Sequence, residues 1–245
     1  MINLETSGCE LALRDQRSVY GFPPVDQARA HGLLALGGDL SPVRLLVAYA
    51  NGIFPWPQPG MPQIPWCCPS PRTVLLPGAF HLGRSTAKAI RREHFEIRFD
   101  TAFPDVMNAC AAMNRPDGPG TWITPALISA YLRLHELGFA HSVEAWREDR
   151  LVGGVYGVTL GAAFFGESMF HTAPNASKIA LITLLRRLQE WQFHFLDCQM
   201  RTPIANSLGA VDWDRPTFQT ALAEALKTPT RRTPWHNPAN LPKLP

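Results

Sequence analysis

A carboxylate and an amide stand two residues apart in Phe195-Leu196-Asp197-Cys198-Gln199, and an earlier carboxylate interrupts the apolar run Phe164-Phe165-Gly166-Glu167-Ser168-Met169-Phe170. On a strand, residues i and i+2 share a face with their Cα atoms roughly 6 to 7 Å apart. Asp197 and Gln199 can therefore touch or share a water. Such a pair can orient an amide and handle a proton, or it can be no more than a satisfied buried polar pair. Cys198 points to the opposite face and reads as packing rather than as a nucleophile. Glu167 is expected on the face of Phe165 and Met169, where an unpartnered carboxylate is expensive. It must meet a cation or hydrogen-bond donors, either an internal partner such as Lys178 or an arginine, or the cation of a ligand.

Other residues suggest a polyanionic, aromatic partner. Trp56 and Trp122 lie in glycine- and proline-flanked segments, Gly52-Ile53-Phe54-Pro55-Trp56-Pro57 and Gly118-Pro119-Gly120-Thr121-Trp122-Ile123-Thr124, where a core tryptophan is less expected. An exposed indole can stack on a nucleobase for about 1 to 3 kcal/mol. Arg84, Lys88, Arg91 and Arg92 fall at i, i+4, i+7 and i+8, which places all four charges on one helical face. That face can grip phosphates without reading sequence, or it can be simply solvated. Lys178, in the first turn of its helix, points toward where an anion could rest. An acyl-coenzyme A enzyme, however, needs a glycine-rich turn whose N–H groups cradle pyrophosphate at a helix start. The turn here is His171-Thr172-Ala173-Pro174-Asn175, with no glycine and a proline that has no N–H to give. Coenzyme A is disfavoured.

The elements that must position these groups follow from periodicity and punctuation. Ser41-Pro42 and Thr124-Pro125 each combine an N-cap residue with a proline at the first helical position. Gly52 and Gly138 close those helices, with Leu45, Leu46 and Tyr49 on one face of the first and Leu127, Tyr131 and Leu134 facing inward on the second. Residues 140–146, 151–158 and 162–170 read as three strands joined by tight turns at Glu148-Asp149 and Leu160-Gly161, an antiparallel meander. Residues 175–191 carry Leu181, Leu184, Leu185 and Leu188 at helical spacing, and 193–200 is a further strand. The order is β-β-β-α-β, so the fold class is α/β (α+β), a mixed sheet with flanking helices. A proline-dense run from Pro55 to Pro77 cannot hold a long regular element. The domain boundary is placed there, with a small N-terminal domain over 1–74 and a larger domain over 75–245. The proline-rich tail from Thr228 is expected to run extended over the surface.

With 245 residues and 46% hydrophobic content the chain can bury a sizeable core. A net charge of +3 argues against coating nucleic acid but allows a grip on a short stretch of it. No run reaches the roughly 18 apolar residues of a membrane span, and the first residues lack the order of a secretory signal. Five cysteines without CxxC spacing indicate neither a disulfide framework nor a zinc site. A reduced, cytoplasmic protein that meets no membrane is expected.

Eight blocks of this sequence, in order, resemble the bacterial leucyl/phenylalanyl-tRNA–protein transferases. They are GLLALGGDLSP from Gly32 to Pro42, GIFPW from Gly52 to Trp56, GTWIT from Gly120 to Thr124, AHSVEAW from Ala140 to Trp146, then GESMF, ASK, DCQ and SLGA. The resemblance implies an N-acetyltransferase-like fold with an added N-terminal domain. It also implies transfer of Leu or Phe from aminoacyl-tRNA to the free N-terminus of proteins beginning with Arg or Lys, which marks them for degradation by the N-end rule. Asp197 and Gln199 match the family's catalytic pair, and Glu167 matches the glutamate that helps receive the basic acceptor. Phe164, Met169, Leu181 and Leu196, plain core on residue type alone, match an apolar pocket for the transferred side chain. Trp56 and Trp122 match the tryptophans used on the terminal adenosine of tRNA. The family enzymes use no metal or other cofactor, and a monomer is expected. Two departures stand out: His171-Thr172 where the family usually has Ser-Arg, and Ile204 where it usually has a histidine. They bear on acceptor preference or activity level. An acyl-CoA N-acyltransferase and a non-catalytic module binding tRNA or protein N-termini are the rival functions.

Overall fold

The computed structural model describes residues 21–58, 60–113, 121–233 and 235. Within them the three strand-like runs are β6 (Ala140–Arg147), β7 (Arg150–Leu160) and β8 (Ala163–His171), paired antiparallel as expected. Glu148 and Asp149 both adopt positive φ, 50° and 56°, the backbone a two-residue hairpin needs. Gly161 makes the second turn at φ +59°, and a Cβ there would lie 2.3 Å from the Ala225 carbonyl oxygen. Helix α5 (Ala176–Glu190) then crosses over to β9 (Phe195–Gln199), which runs parallel to β8. Every other pairing in the sheet is antiparallel. β9 is flanked by β4 (Arg72–Leu75) and then β10 (Val211–Trp213), and β5 (Glu96–Phe99) closes the far edge beside β6. The sheet order is β10-β4-β9-β8-β7-β6-β5.

Leucines at helical spacing seat α5 on one face of this sheet, against Phe164, Leu196 and Trp235. The other face carries α1 (Pro42–Ala50), α3 (Phe103–Ala112), α4 (Pro125–Glu136) and α7 (Arg215–Ala225). Thr124 caps α4 by accepting from the Leu127 N–H at 3.2 Å, whereas at α1 it is Asp39 that takes the Ser41 N–H at 2.8 Å. The N-terminal strands β1 (Leu33–Leu36), β2 (Phe54–Pro55) and β3 (Pro65–Cys67) form a separate small sheet in the order β1-β3-β2. They do not enclose a separate core: Leu45, Tyr49, Ile53 and Phe54 share one apolar cluster with Phe165, Phe195 and Phe218 of the large domain. The position between residues 74 and 75 falls inside β4, so the chain enters the large sheet before that boundary.

The tail departs from a purely surface course. Trp235 is 2% exposed, its ring stacked on His141 at 4.1 Å and set against Trp191, Phe164 and Phe193. Its main-chain N–H donates to Asp100 at 2.8 Å. A large indole between prolines gains more by filling an apolar hole than a solvated chain loses in entropy. The N-terminal residues read for a signal, Cys9, and Pro234, Pro238, Pro242 and Pro245 of the tail lie outside the described residues.

Candidate active site

The parallel ladder between β8 and β9 is short. It pairs Ala163 with Phe195, Phe164 with Leu196 and Phe165 with Asp197, and ends there, although β8 runs on to His171 and β9 to Gln199. The two strands part, and a cleft of about 550 Å³ opens where they do. Its walls include Glu167 and Met169 from β8, Leu181 from α5, and Leu196 and Cys198 from β9. Of the polar groups singled out on these two strands, Glu167 stands in the wall; Asp197 and Gln199 are outside the lining and reach the cleft through Glu167.

Asp197 is fully buried on the face of Phe165 and accepts four hydrogen bonds. Three come from Arg72, from Nε at 2.9 and 3.1 Å and from Nη2 at 2.7 Å, and the fourth comes from the Gln199 main-chain N–H at 2.7 Å. Arg72, itself 2% exposed, lies between the rings of Phe54 and Phe218 at 4.9 and 4.7 Å, and its Nη1 donates to the Gly52 carbonyl at 3.0 Å. The block Gly52-Ile53-Phe54-Pro55-Trp56 thereby gains a physical reason. Gly52 turns the chain at φ +75°, where a Cβ would strike the Phe218 ring at 2.7 Å, and Phe54 stacks on the guanidinium. A buried carboxylate with a bidentate, stacked arginine is fully compensated.

Glu167 is placed differently. Tyr156 pairs with Ser168 and Gly157 with Gly166, so Glu167 is the extra residue of a bulge in β8. The bulge reverses the alternation: Phe165 packs in the core under α1 and Met169 in the core under α5. The shared face expected for Phe165, Glu167 and Met169 is thus broken, because the period-two rule fails across an inserted residue. Glu167 stands at the seam. Its Oε1 accepts from the Tyr49 hydroxyl at 2.7 Å and from Gln199 Nε2 at 3.0 Å, and its Oε2 accepts from the Tyr131 hydroxyl at 3.0 Å. Its donors are neutral, neither Lys178 nor an arginine.

The two tyrosine hydroxyls also contact each other. With Glu167 ionised, both phenolic protons go to the carboxylate and the contact between the oxygens has no proton of its own. One added proton completes the ring from Glu167 to Tyr131 to Tyr49 and back. Burial pushes the Glu167 carboxyl up to about 7, against the tyrosine hydrogen bonds, which pull it down. Burial and the neighbouring Glu167 charge push both phenols well above their ordinary range, so they remain donors. Burial, and then Asp197, raises the Cys198 thiol too, which keeps it a thiol rather than a thiolate.

Asp197 and Gln199 are adjoining links without a side-chain contact. The carboxylate holds the Gln199 backbone, at φ +63°, and the amide turns to Glu167. With Nε2 donating to Glu167, the amide oxygen is the end not used in that bond; the network makes this assignment. Met169, Leu181 and Leu196 line the cleft, while Phe164 is fully buried behind it, against Trp235. Trp56 and Trp122 are half-buried beside the core of the α1 face, outside the cleft lining. Arg84, Lys88 and Arg92 are exposed on α2 (Arg84–Arg92), outside the cleft lining, and the Arg91 side chain is not among those described. His171 and Ile204 both line the cleft. Among the described residues no group of three or more His, Cys, Asp and Glu converges as a metal would require. Nor is any described helix long and apolar enough to cross a membrane.

Sequence inspection did not single out Arg72, Tyr49 or Tyr131 as site residues. A usable signal existed: the phenols are polar atoms on inward helix faces, and Arg72 opens the otherwise uncharged strand β4.

Residues 38–70 match the family model described as the leucyl/phenylalanyl-tRNA protein transferase N-terminal domain, and residues 74–223 match the one described as leucyl/phenylalanyl-tRNA protein transferase. Curated relatives named leucyl/phenylalanyl-tRNA–protein transferase include those of Myxococcus xanthus, 54% identical over 87% of this chain and 91% of its own length, and Desulfatibacillum aliphaticivorans, 53% identical over the same shares. Another, from Syntrophus aciditrophicus, is 50% identical over 93% of this chain and 95% of its own. A solved chain from Staphylococcus epidermidis, described as functionally unknown, is similar at a TM-score of 0.40 and 12% identity over 58% of this chain and 57% of that one. With half of its residues or more shared across nearly its whole length, the chain belongs to the leucyl/phenylalanyl-tRNA–protein transferase family.

Proposed function

We propose that this protein moves leucine or phenylalanine from an aminoacyl-tRNA to the free N-terminus of proteins beginning with Arg or Lys, in the cytoplasm, marking them for N-end rule degradation. The observation that carries the proposal is the continuous chain Arg72, Asp197, Gln199, Glu167, which ends at Glu167 in the wall of the cleft. The acceptor's neutral α-amine attacks the ester carbonyl, a C–N bond forms, and the ribose oxygen leaves with a proton while the amine loses one. Ester to amide runs downhill, so positioning and proton handling suffice. Gln199 holds the attacking amine through its amide oxygen. Asp197, locked by Arg72, fixes the Gln199 backbone. Glu167 supplies negative charge for the basic first residue of the acceptor. Met169, Leu181 and Leu196 hold the transferred side chain, with Phe164 supporting them from behind. Trp56 and Trp122 stack on the terminal adenosine, and the Arg84, Lys88, Arg91, Arg92 face holds acceptor-stem phosphates.

Labelled Leu-tRNA mixed with peptides that differ only in their first residue tests the whole proposal. Arg- and Lys-initiated peptides should be labelled far better than Ala-initiated or acetylated ones, and equal labelling would remove that role from Glu167. Arg84→Glu with Lys88→Glu should weaken tRNA binding and leave turnover at saturating tRNA unchanged. Two lost phosphate contacts should flatten the slope of log K against log salt by about 1.4 to 1.8 units. An unchanged slope would make this face an ordinary solvated one.

A further inference from the structure

We infer that Trp235 is a positioning residue for the transferred side chain: its indole backs the wall of the cleft and thereby sets the choice between leucine and phenylalanine, an inference that rests on the function proposed above. Leu181 and Leu196 of the cleft wall belong to the apolar core under α5, with Met169 packed against it, and Phe164 and Trp235 lie in the same core. Phe164 pairs with Leu196 across the parallel ladder, so the two side chains stand side by side on that face of the sheet. The Phe164 ring lies over Gly157, where a Cβ would come within 2.5 Å of it, and it meets the Trp235 ring at 5.6 Å between centroids. The wall is therefore three layers deep, from Leu196 through Phe164 to Trp235.

The seat of Trp235 is built from groups that take no part in the cleft lining. Its ring stacks on His141 at 4.1 Å and 8°, and Trp191 meets it edge-on at 5.0 Å. Asp100 takes its main-chain N–H at 2.8 Å and the Ser142 N–H at 2.9 Å, and faces His141 Nδ1 at 2.8 Å. Main chain and ring are thus fixed separately, so a shorter side chain at 235 empties the space of the indole and keeps the main-chain anchor. Interiors are close-packed, and a hole behind a side chain is filled in part by neighbours that relax into it. Phe164 moves first into the space left by the indole, Leu196 follows, and the cleft gains depth. Leucine, short and branched, loses contact with a receding wall, while the longer ring of phenylalanine gains room. An apolar pocket separates side chains one methylene apart by roughly 10- to 200-fold. A small shift of the wall is therefore felt in the choice of amino acid.

A comparison of the two aminoacyl donors tests this. With one Arg-initiated peptide as acceptor, kcat/KM is measured for Phe-tRNA and for Leu-tRNA in the full wild-type chain and in Trp235→Phe, Trp235→Leu and Trp235→Ala, each below its melting temperature. The Phe:Leu ratio should stay near wild type in Trp235→Phe and rise about fivefold in Trp235→Ala, with Trp235→Leu between them. Loss of folded protein lowers both rates alike and cancels in the ratio, which separates positioning from stability. Trp235→Leu, which leaves the smaller hole, carries the test if the alanine variant does not fold. A ratio unchanged or lowered in folded Trp235→Leu or Trp235→Ala would overturn the inference. Wild-type transfer of either amino acid reports the proposed function separately, so a flat ratio across variants of an active enzyme removes the role of Trp235 and leaves the function.

Discussion

Asp197 and Glu167 are both buried carboxylates on neighbouring strands, yet their surroundings have opposite consequences. Asp197 meets a full positive charge with bidentate geometry, held between two aromatic rings and anchored to the Gly52 carbonyl. Glu167 meets two phenols and an amide, which bring protons but no charge. The first site is finished within the protein and can serve as a rigid mount. The second has no cation hydrogen-bonded to it, and under the proposed function the acceptor would bring one. A fully compensated ion pair would gain nothing from substrate, and an uncompensated one is expensive to keep. The fold places the expensive carboxylate in the cleft wall and the compensated one behind it. The N-terminal domain has a hand in both, since Tyr49 and the Gly52 carbonyl come from α1 and its end.

The largest expected effect tests whether Asp197 is a mount. Arg72→Met leaves a buried carboxylate without its cation and should cost about 3 to 5 kcal/mol in urea unfolding. Glu167→Gln, which removes charge from a site that has no cation of its own, should cost little at pH 8. If Arg72→Met unfolds at the wild-type midpoint, the two carboxylates are energetically alike and the contrast fails.

A second, smaller effect separates mount from chemistry. Gln199→Ala removes the amide but keeps the main-chain N–H on Asp197, so the melting temperature should hold while transfer falls roughly 100-fold. Asp197→Asn should cut transfer through the same amide, and with Gln199→Ala it should fall little further than the worse single change. Near wild-type transfer by folded Gln199→Ala at saturating substrates would take the amide out of the reaction.

The contrast between the two carboxylates was only half legible in the sequence. The β-β-β-α-β succession from β6 to β9 and the Thr124 cap follow from periodicity and from residues that act locally, and those rules survive folding. Asp197, Gln199 and Glu167 also stand out, because polar residues in apolar runs need partners. The partners do not stand out. Arg72 sits in the proline-dense run from Pro55 to Pro77, which reads as holding no long regular element, and Tyr49 and Tyr131 read as apolar faces of helices. Each becomes a site residue only through a contact made far along the chain. The bulge is the other gap, since alternation assumes an unbroken register. Glycines in strands are the available hint: a Cβ on Gly157 would lie 2.1 Å from the Phe165 carbonyl oxygen, and Gly166 sits beside the inserted residue.

The smallest expected effect is the most specific to Glu167, and it uses the pH dependence of that carboxyl. With its value pushed up to about 7 by burial, Glu167 is charged above neutrality and neutral below it. Charging it works against folding: its contribution to stability is full below the ordinary glutamate value and is lost as pH rises through 7. Binding runs the other way, because the charge that destabilises the free protein attracts the basic acceptor. The ratio of kcat/KM for an Arg-initiated peptide to that for an Ala-initiated one should therefore fall about tenfold as pH drops from 8 to 6. Protonation of the attacking α-amine also slows transfer over this range, but it acts on both peptides and cancels in the ratio. In Glu167→Gln the ratio should be low and flat with pH. A wild-type ratio that stays constant from pH 8 to 6, with transfer intact, would mean that Glu167 does not read the first residue. Its ring with Tyr49 and Tyr131 would then serve only to hold β8 against α1 and α4.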